Sequence, residues 1–366
     1  MLVSAGPDQF RAREPGVWVN QSLSPVVNLV RQRGGSAQLV VLRGGDVLLD
    51  HSQGYGPDGL FWSWSVSKPY LSILVHQLAA DGLLDIDAAV SYYWPEFARH
   101  GKGSITLRQV LHHRAGFSTS RGLIGDALAM TDWRSSIRNL ESARLRTVPG
   151  TVPSYQVFTY GFILGEVIQR VTRRPLRDVM NDVLLTPLGA TNTMLGVAEH
   201  DLSRCVSIRS SVPLAMGALN SRAVRMAVIP SAGISTTARD VARFYEMLLN
   251  DGRGRDDTQV VSPEILSQAT IASSTEADVD GFAHTPILWA HGFQLGGRTP
   301  NLYPPLGSIA GPRTFGHNGS NVCVAWADPD TQLVVAYLTN TVASDGARHM
   351  TAVSNAIASI ARPAAG

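Results

Sequence analysis

The sequence is poor in cysteine and in charge, and it contains no long apolar run. Cys205 and Cys323 are the two cysteines of a 366-residue chain that is too long to need a disulfide staple. We expect two buried free thiols, with a bridge between them as the alternative. No apolar stretch reaches the roughly 18 residues needed to cross a bilayer. Charged residues make up 16% and hydrophobic residues 44%, which favours a large buried core over disorder.

Concentrated positive charge and metal-ligand spacing are also missing. The net charge is only +2 and no run of lysine or arginine occurs, whereas a nucleic-acid groove needs a basic stripe. Adjacent His112 and His113 would diverge on a helix and could not chelate a metal together. Residues Met1–Phe10 lack the pattern of a signal peptide. We therefore expect a cytoplasmic protein without metal, cofactor, nucleic-acid or membrane partner, and the sequence leaves its oligomeric state open.

Two hairpin patterns lie near opposite ends of the chain. The β-rich runs Ala37–Leu42 and Val47–Asp50 are separated by a turn with two glycines. The runs Val322–Ala327 and Leu333–Thr339 flank Asp-Pro-Asp-Thr, another turn signal. The chain also exceeds the ~250–300 residues at which a single core usually stops growing, which predicts one large two-part domain or two lobes.

The middle of the chain shows helical periodicity, beginning with apolar residues at helical spacing over 70–83. A further helix is predicted near the C-terminal end, over 349–360. Strands at both ends with helices between them predict an α/β fold of the α+β type. We expect an antiparallel β-sheet formed by both termini and flanked by helices. The predicted sheet lobe comprises residues 1–75 and 225–366, and a mostly helical lobe of residues 76–224 is inserted.

The sharpest chemical pattern is Ser65-Val66-Ser67-Lys68, where a loop becomes a helix. Three residues are nearly one helical turn, so Ser65 and Lys68 project from the same face. A serine hydroxyl needs a base to become a nucleophile, and a lysine amine becomes that base only if burial or a neighbouring cation lowers its pKa. Trp62 and Trp64 are available as an apolar wall. Alternatively, Ser65 is a plain helix N-cap, and Ser67 is a second candidate whose offset turns it away from Lys68.

Several segments resemble, in order, the serine β-lactamase and penicillin-binding-protein superfamily, particularly its class C-like carboxylesterases. The resemblance extends from about residue 38 to residue 340 and implies the β-lactamase/transpeptidase-like fold. The matching segments are Phe61–Pro69 for the nucleophile, Ile105–Gly116 for the next signature, Pro149–Tyr155 with Tyr160–Glu166 for the family tyrosine, and Phe315–Gly319 for the Lys-Thr-Gly strand.

By this resemblance Tyr155 is the second base-like residue. A phenol with an ordinary pKa near 10 has to shift towards its phenolate to help, and a lysine ammonium beside it favours that shift. Lys68 and Tyr155 would then share one proton as a coupled pair. A core aromatic is the alternative for Tyr155. Tyr160 is a competitor for the role, but it opens a helix that we expect to be buried.

The third motif departs from the Lys-Thr-Gly pattern and reads His317-Asn318-Gly319, as in esterase-like members. The imidazole of His317 is a candidate to bind the acyl group or the tyrosine, with a structural histidine as the alternative. Gly319, like Gly316, permits a substrate to approach the backbone of this strand closely. A second departure is Val157, which stands where many relatives have the asparagine of Tyr-x-Asn. This disfavours β-lactam hydrolysis and peptide processing and favours other acyl donors.

The resemblance also implies an oxyanion hole made of two backbone N–H groups. We assign these to Ser65 and Cys323, and a reactive thiol at Cys323 is a weaker alternative. Trp326 and Trp289 are expected to line the pocket, with a core position as the alternative for each.

The expected activity is serine-dependent acyl transfer through an acyl-enzyme, with ester hydrolysis on a small or medium acyl substrate as the first choice. The alternative is an acyltransferase that passes the acyl group to an alcohol or amine in secondary metabolism. A β-lactamase or D-amino-acid peptidase is less favoured. A non-catalytic binding scaffold is the least favoured, because binding alone needs no nucleophile and proton carriers.

Overall fold

The computed structural model describes residues 17–19, 21–210, 217–297 and 304–360 of the chain. The strands are β1 Val17–Val19, β2 Ala37–Arg43, β3 Asp46–Gln53, β4 Phe61–Trp62, β5 Met194–Leu195, β6 Arg209–Ser210, β7 Ile234–Thr236, β8 Gln294–Leu295, β9 Phe315–Gly319, β10 Cys323–Asp328, β11 Leu333–Thr339 and β12 Thr341–Val342. The α-helices are α1 Ser24–Arg33, α2 Lys68–Ala80, α3 Val90–Tyr93, α4 Leu107–Leu111, α5 Gly122–Ala129, α6 Trp133–Ser142, α7 Thr159–Thr172, α8 Leu176–Met180, α9 Thr186–Leu188, α10 Arg222–Met226, α11 Ala238–Leu249, α12 Pro263–Ala269 and α13 Gly346–Ile360. Tighter 3-10 segments are Gln21–Leu23, Trp64–Ser67, Pro95–Gly101 and Glu199–Arg204, and Asn181–Leu185 is a π-helix.

The main sheet joins strands from both ends of the chain. Its seven strands follow the order β1-β3-β2-β11-β10-β9-β8, and neighbouring strands are antiparallel. Strand β2 pairs along its whole length with β11, from Ala37 opposite Thr339 to Arg43 opposite Leu333. The predicted α/β fold, with an antiparallel sheet built from both termini, is therefore confirmed. The predicted hairpins β2–β3 and β10–β11 are confirmed as well.

The strands of the main sheet fall within the ranges predicted for the sheet lobe, residues 1–75 and 225–366, parts of which lie outside the described residues. The range 76–224 holds helices α3 to α9 and the short strands β5 and β6. The boundaries between the two lobes stay a prediction.

The two faces of the main sheet bury different cores, because successive side chains of a strand point to opposite faces. On β10, Cys323, Ala325 and Ala327 belong to the large core that includes α2, α7 and α11. Val324 and Trp326 belong to a smaller core against α1 and α13. The catalytic candidates lie on the side of the large core.

Helix α2 is the central helix of the large core and begins at the predicted lysine. Pro69 occupies its first turn, where a missing N–H costs nothing. Apolar side chains surround the helix axis, and α2 packs against α7 and α12, so it is buried on nearly every face. It ends at Ala80, and Gly82 follows with a φ of 73°. The predicted helix over 70–83 is confirmed with a shift of two to three residues.

No described helix is long and apolar enough to cross a membrane. Both cysteines are free thiols, but only Cys323 is buried. The expectation of two buried thiols is therefore wrong for Cys205, which follows the surface segment Glu199–Arg204 and is half-buried.

The expectation that Trp326 lines the substrate pocket is wrong. Trp326 lies opposite Gly316 and Val335 in the sheet, which turns its side chain towards α13. There its indole Nε1 donates a hydrogen bond to Ser354 Oγ over 3.2 Å. The side-chain period of a strand is two, so a shift of one position decides which core a residue joins.

Substituting Trp326 by Phe should therefore weaken folding without touching catalysis. We expect the free energy of unfolding to fall by about 1–2 kcal/mol, because the Ser354 hydroxyl loses its donor and a small cavity opens. Urea unfolding measures this loss. The rate of the expected ester hydrolysis per active site, counted by titration, should stay at the wild-type value. A lower rate at unchanged stability would indicate that Trp326 lines the pocket after all.

Candidate active site

Ser65 lies in the tight turn Trp64–Ser67 that leads directly into α2. The turn is fixed by hydrogen bonds from Ser67 Oγ to Trp64 O (2.7 Å) and from the Ser63 N–H to Ile234 O (2.9 Å). Trp64 adopts a left-handed backbone with a φ of 52°. A bulky residue in this region costs free energy, and such strain concentrates at functional sites. Ser65 itself keeps 5% of its surface exposed, so its hydroxyl is reachable only from one direction.

Lys68 is the first residue of α2 and is completely buried. Its Nζ lies 3.0 Å from Val157 O, 3.3 Å from Ser231 O and 3.3 Å from Ser65 Oγ. An ammonium could donate to all three oxygens, and a neutral amine could donate to the two carbonyls and accept from the Ser65 hydroxyl. Burial also lowers the pKa of the Lys68 amine well below its ordinary value. The site therefore suits Lys68 as a base.

Tyr155 contacts the same serine. Its phenol Oη is 2.5 Å from Ser65 Oγ, and Lys68 Nζ lies 4.7 Å from the centre of its ring. The Trp289 indole stacks on this ring at 5.2 Å with an interplanar angle of 5°. His113 meets its edge at 5.1 Å. The hydroxyl of Ser65 and the amine of Lys68 thus share a single buried cleft with the phenol of Tyr155, which is 90 residues from Ser65 in the chain.

Ser67, the second candidate nucleophile, faces away from these groups. Its hydroxyl donates to Trp64 O, lies 3.0 Å from Ser63 Oγ and accepts from the Ile234 N–H over 3.2 Å. These contacts hold the turn together. Tyr160, the competitor of Tyr155, is fully buried in α7, and burial raises the pKa of its phenol.

His317 lies on β9, with its ring 6.0 Å from that of Tyr155. Its Nδ1 is 2.8 Å from Asn318 O, and because a carbonyl only accepts, Nδ1 carries the proton. Nε2 is buried and has no hydrogen-bond partner within the described part of the chain. Burial, with the Lys68 charge as a second cause, lowers the pKa of His317 to about 3. The ring is therefore a neutral imidazole.

Gly319, at the end of β9, closes the site against the nucleophile turn. A Cβ added to it would lie 2.6 Å from Ser63 O and 3.0 Å from Trp64 Cβ. Real side chains do not tolerate such distances to backbone, so only glycine lets β9 and the turn approach this closely.

Cys323 lies behind this contact and cannot supply the predicted oxyanion N–H. It pairs with Gly319 on one side and Leu338 on the other, in a central strand whose N–H groups point at neighbouring strands. Its thiol lies 3.6 Å from Trp62 O, and burial raises the thiol pKa to about 12. The assignment of Cys323 to the oxyanion hole is therefore wrong, and a reactive thiol is wrong for the same burial.

Three groups of the site were not predicted from the sequence. The carbonyls of Val157 and Ser231 hold Lys68 through the backbone, which any residue could supply. The Asp280 carboxylate, fully buried, accepts hydrogen bonds from the Tyr155 N–H and the Trp289 indole. Its sequence context, Asp280-Gly281, indicates only a turn. The described residues contain no group of three or more His, Cys, Asp or Glu side chains that could hold a metal ion.

Comparisons with known proteins identify the family of the chain. The family model described as Beta-lactamase matches residues 26–358. Esterase/beta-lactamase LipL of Mycobacterium tuberculosis is 25% identical over 358 residues, which cover 86% of this chain and 79% of that protein.

Solved structures share the fold over nearly the whole chain. A family VIII carboxylesterase has a TM-score of 0.79 at 25% identity, covering 93% of this chain and 99% of its own. EstA from Arthrobacter nitroguajacolicus Rue61a has a TM-score of 0.77 at 26% identity, covering 94% of this chain and 99% of its own. Because the family match spans most of the sequence and the folds agree, the chain belongs to the β-lactamase family and is a serine hydrolase of that superfamily.

Proposed function

We propose that this chain is a carboxylesterase in which Ser65 is the nucleophile and Lys68 and Tyr155 carry its proton. The observation that supports this most is the position of Ser65 Oγ, 3.3 Å from Lys68 Nζ and 2.5 Å from Tyr155 Oη. A hydroxyl held between a buried amine and a phenol has a base on one side and an acid on the other.

Acylation follows from that arrangement. The Ser65 proton passes to the Lys68 lone pair as Oγ bonds to the ester carbonyl carbon. The Tyr155 hydroxyl then gives its proton to the leaving oxygen as the carbon–oxygen bond breaks, and Tyr155 regains a proton from Lys68. The Lys68 ammonium, 4.7 Å from the Tyr155 ring centre, offsets the transient phenolate charge. Water then attacks the acyl-enzyme with the same groups working in reverse.

The oxyanion needs a second donor besides the Ser65 N–H, and the free edge of β9 supports Ser320 in place of Cys323. N–H groups alternate along a strand, and the Asn318 N–H points away from β10 to Gln294 Oε1 over 2.7 Å. The next N–H in this alternation belongs to Ser320, directly after the glycine that touches the nucleophile turn. Strand β8 pairs β9 only at Phe315 and Gly316, which leaves this part of the edge open.

A neutral ester is the substrate class that the site favours. β-Lactams and D-alanyl peptides carry a carboxylate, which a cation would have to recognise. His317 stands at the motif position that is lysine in the Lys-Thr-Gly pattern, and it is neutral with a pKa of about 3. The family VIII relative bears a carboxylesterase name, which supports the same choice, whereas LipL is named for both an esterase and a beta-lactamase.

The acyl acceptor and the compartment stay predictions. Hydrolysis and transfer to an alcohol or amine use the same acylation steps and diverge only when the acyl-enzyme is resolved. Product analysis with an alcohol or amine present distinguishes them, because transfer yields a new ester or amide. The cytoplasmic location rests on the sequence alone.

Substituting Ser65 by Ala tests the nucleophile directly. With p-nitrophenyl butyrate as substrate, turnover should fall by at least about 10³-fold, because Ser65 supplies the hydroxyl that contacts both proton carriers. Wild-type enzyme should show a burst of p-nitrophenolate equal to the enzyme concentration and an acyl adduct on the Ser65 peptide. The matched control is Ser67→Ala, which should keep the burst and lose at most about tenfold in rate, because Ser67 supports only the turn. Turnover at the wild-type rate in Ser65→Ala would contradict the assignment of Ser65 as the nucleophile.

The pH dependence of acylation should follow Lys68 and not His317. The lowered pKa of Lys68 means that the amine base is present above that pKa and is lost as the pH falls through it. His317, with a pKa of about 3, stays neutral throughout the range of the assay. His317→Gln should thus lower kcat/KM without moving the apparent pKa of its acid limb. Lys68→Arg should abolish activity, because a guanidinium stays charged. If the fall of kcat/KM at low pH disappears in His317→Gln, the titrating group is the imidazole of His317 and not Lys68.

Substrate preference can be measured as the ratio of kcat/KM values for p-nitrophenyl butyrate and the cephalosporin nitrocefin. We expect the cephalosporin value to be lower by about 10- to 100-fold, the size of a missing hydrogen bond to a charged group. Replacing His317 by Lys should shift the ratio towards nitrocefin if the absent cation is the cause. Equal values for both substrates in the wild type would contradict the neutral-ester assignment.

A further inference from the structure

The Asp280 carboxylate is a buried acceptor for four N–H groups. It accepts from the Tyr155 N–H (3.0 Å to Oδ2), the Phe282 N–H (2.9 Å to Oδ1), the Ala283 N–H (2.8 Å to Oδ1) and Trp289 Nε1 (3.0 Å to Oδ2). The residue has no exposed surface. A buried charge is costly unless it is hydrogen-bonded, and this one meets donors on both oxygens.

These bonds reach Tyr155 by two separate routes. One is direct, through the backbone N–H of Tyr155. The other runs through Trp289, whose indole is fixed by Asp280 and lies parallel to the Tyr155 ring at 5.2 Å. The loop that carries Asp280 also contacts the segment before Tyr155, because the Gly281 N–H donates to Pro153 O over 2.8 Å. Backbone and ring plane of the tyrosine are therefore held by one carboxylate.

These two contacts matter for the chemistry because the Tyr155 hydroxyl has to be directed at Ser65. Tyr155 Oη lies 2.5 Å from Ser65 Oγ, and its ring is free to turn only about its two side-chain bonds. With the backbone fixed at one end and the ring plane fixed by an indole, both rotations are restricted. A misplacement of about 1 Å at a reacting group can cost about 100-fold in rate.

We propose that Asp280 is a positioning residue that holds the Tyr155 hydroxyl where it protonates the leaving oxygen. The inference rests on the proposed esterase function and names a part of its acylation step. When the tetrahedral intermediate collapses, the bond between the carbonyl carbon and the leaving oxygen breaks, and that oxygen takes the phenolic proton. An alkoxide needs this proton, whereas p-nitrophenolate is stable enough to leave without it.

The test is the leaving-group dependence of acylation in Asp280→Asn. The amide keeps the shape of the carboxylate but sets an NH₂ group against N–H donors, so either the indole or the loop N–H groups lose their acceptor. We expect the acylation rate with ethyl butyrate to fall by about 100-fold, and that with p-nitrophenyl butyrate by no more than about threefold. Active sites are counted by fluorophosphonate labelling, so a smaller folded fraction does not alter either rate.

A second variant makes the assignment to Tyr155 specific. Tyr155→Phe should show the same selective loss for ethyl butyrate, because it removes the proton donor. Adding Asp280→Asn to it should cause no further selective loss, since the two residues act through one hydroxyl. An additional loss of comparable size in the double variant would overturn the proposal.

The matched control is Asp278→Asn, two residues away on the same loop. Asp278 pairs with Arg114 at 3.1 Å and accepts from the Thr275 N–H at 2.8 Å, without contacting the tyrosine. Its leaving-group dependence should equal that of the wild type. If Asp280→Asn does not fold, Trp289→Phe serves instead, because it keeps an aromatic ring on Tyr155 but removes the Nε1 donor. Trp289→Phe should selectively lower the acylation rate with ethyl butyrate, by a smaller factor than the roughly 100-fold expected for Asp280→Asn.

The outcomes separate this inference from the function on which it rests. If wild-type enzyme forms no acyl adduct on Ser65 with either ester, the esterase proposal fails. If the wild type acylates and Asp280→Asn lowers both rates equally or neither, only the positioning role of Asp280 is overturned.

Discussion

The site depends on one buried amine, that of Lys68, whose N–H groups find two backbone carbonyls as hydrogen-bond acceptors. Lys68 is cut off from solvent, and the carbonyls of Val157 and Ser231 accept its N–H groups while Ser65 faces the remaining lone pair. A buried ammonium is disfavoured by desolvation, and a buried amine with unmet N–H groups would also be costly. Together the two carbonyls and the apolar surroundings favour the neutral base. The rest of the site is arranged around this amine, since a protonated lysine could not take the serine proton.

The backbone carbonyl of Val157 also explains how the chain manages without the asparagine of the Tyr-x-Asn pattern. Its side chain offers no acceptor, yet the carbonyl of the same residue lies 3.0 Å from the lysine nitrogen. One contact with Lys68 is thus supplied without a side-chain amide. What is lost is the amide group that would also reach a substrate, which is consistent with a substrate that makes no amide contact there.

Local patterns in the sequence were sufficient for the hairpins, for helix α2 and for the pairing of Ser65 with Lys68, because each depends on periodicity over a few residues. Tyr155 is 90 residues from Ser65, and only the family resemblance connected the two. Trp326 and Cys323 were misplaced because a role in a strand depends on register and on which edge is open, neither of which can be read from the sequence. Asp280 was missed because a buried carboxylate that bonds backbone groups looks, in sequence, like any turn aspartate.

The sheet built from both termini has a consequence for how the chain is made. Strand β2 leaves the ribosome roughly 300 residues before its partner β11. Until then β2 offers an unpaired apolar edge, and such edges readily join with other chains. The turn Trp64–Ser67 likewise meets β9 only after β9 has been made. During synthesis the hairpin β2–β3 therefore spends a long interval without its partner strand, in which pairing with another chain competes with native folding.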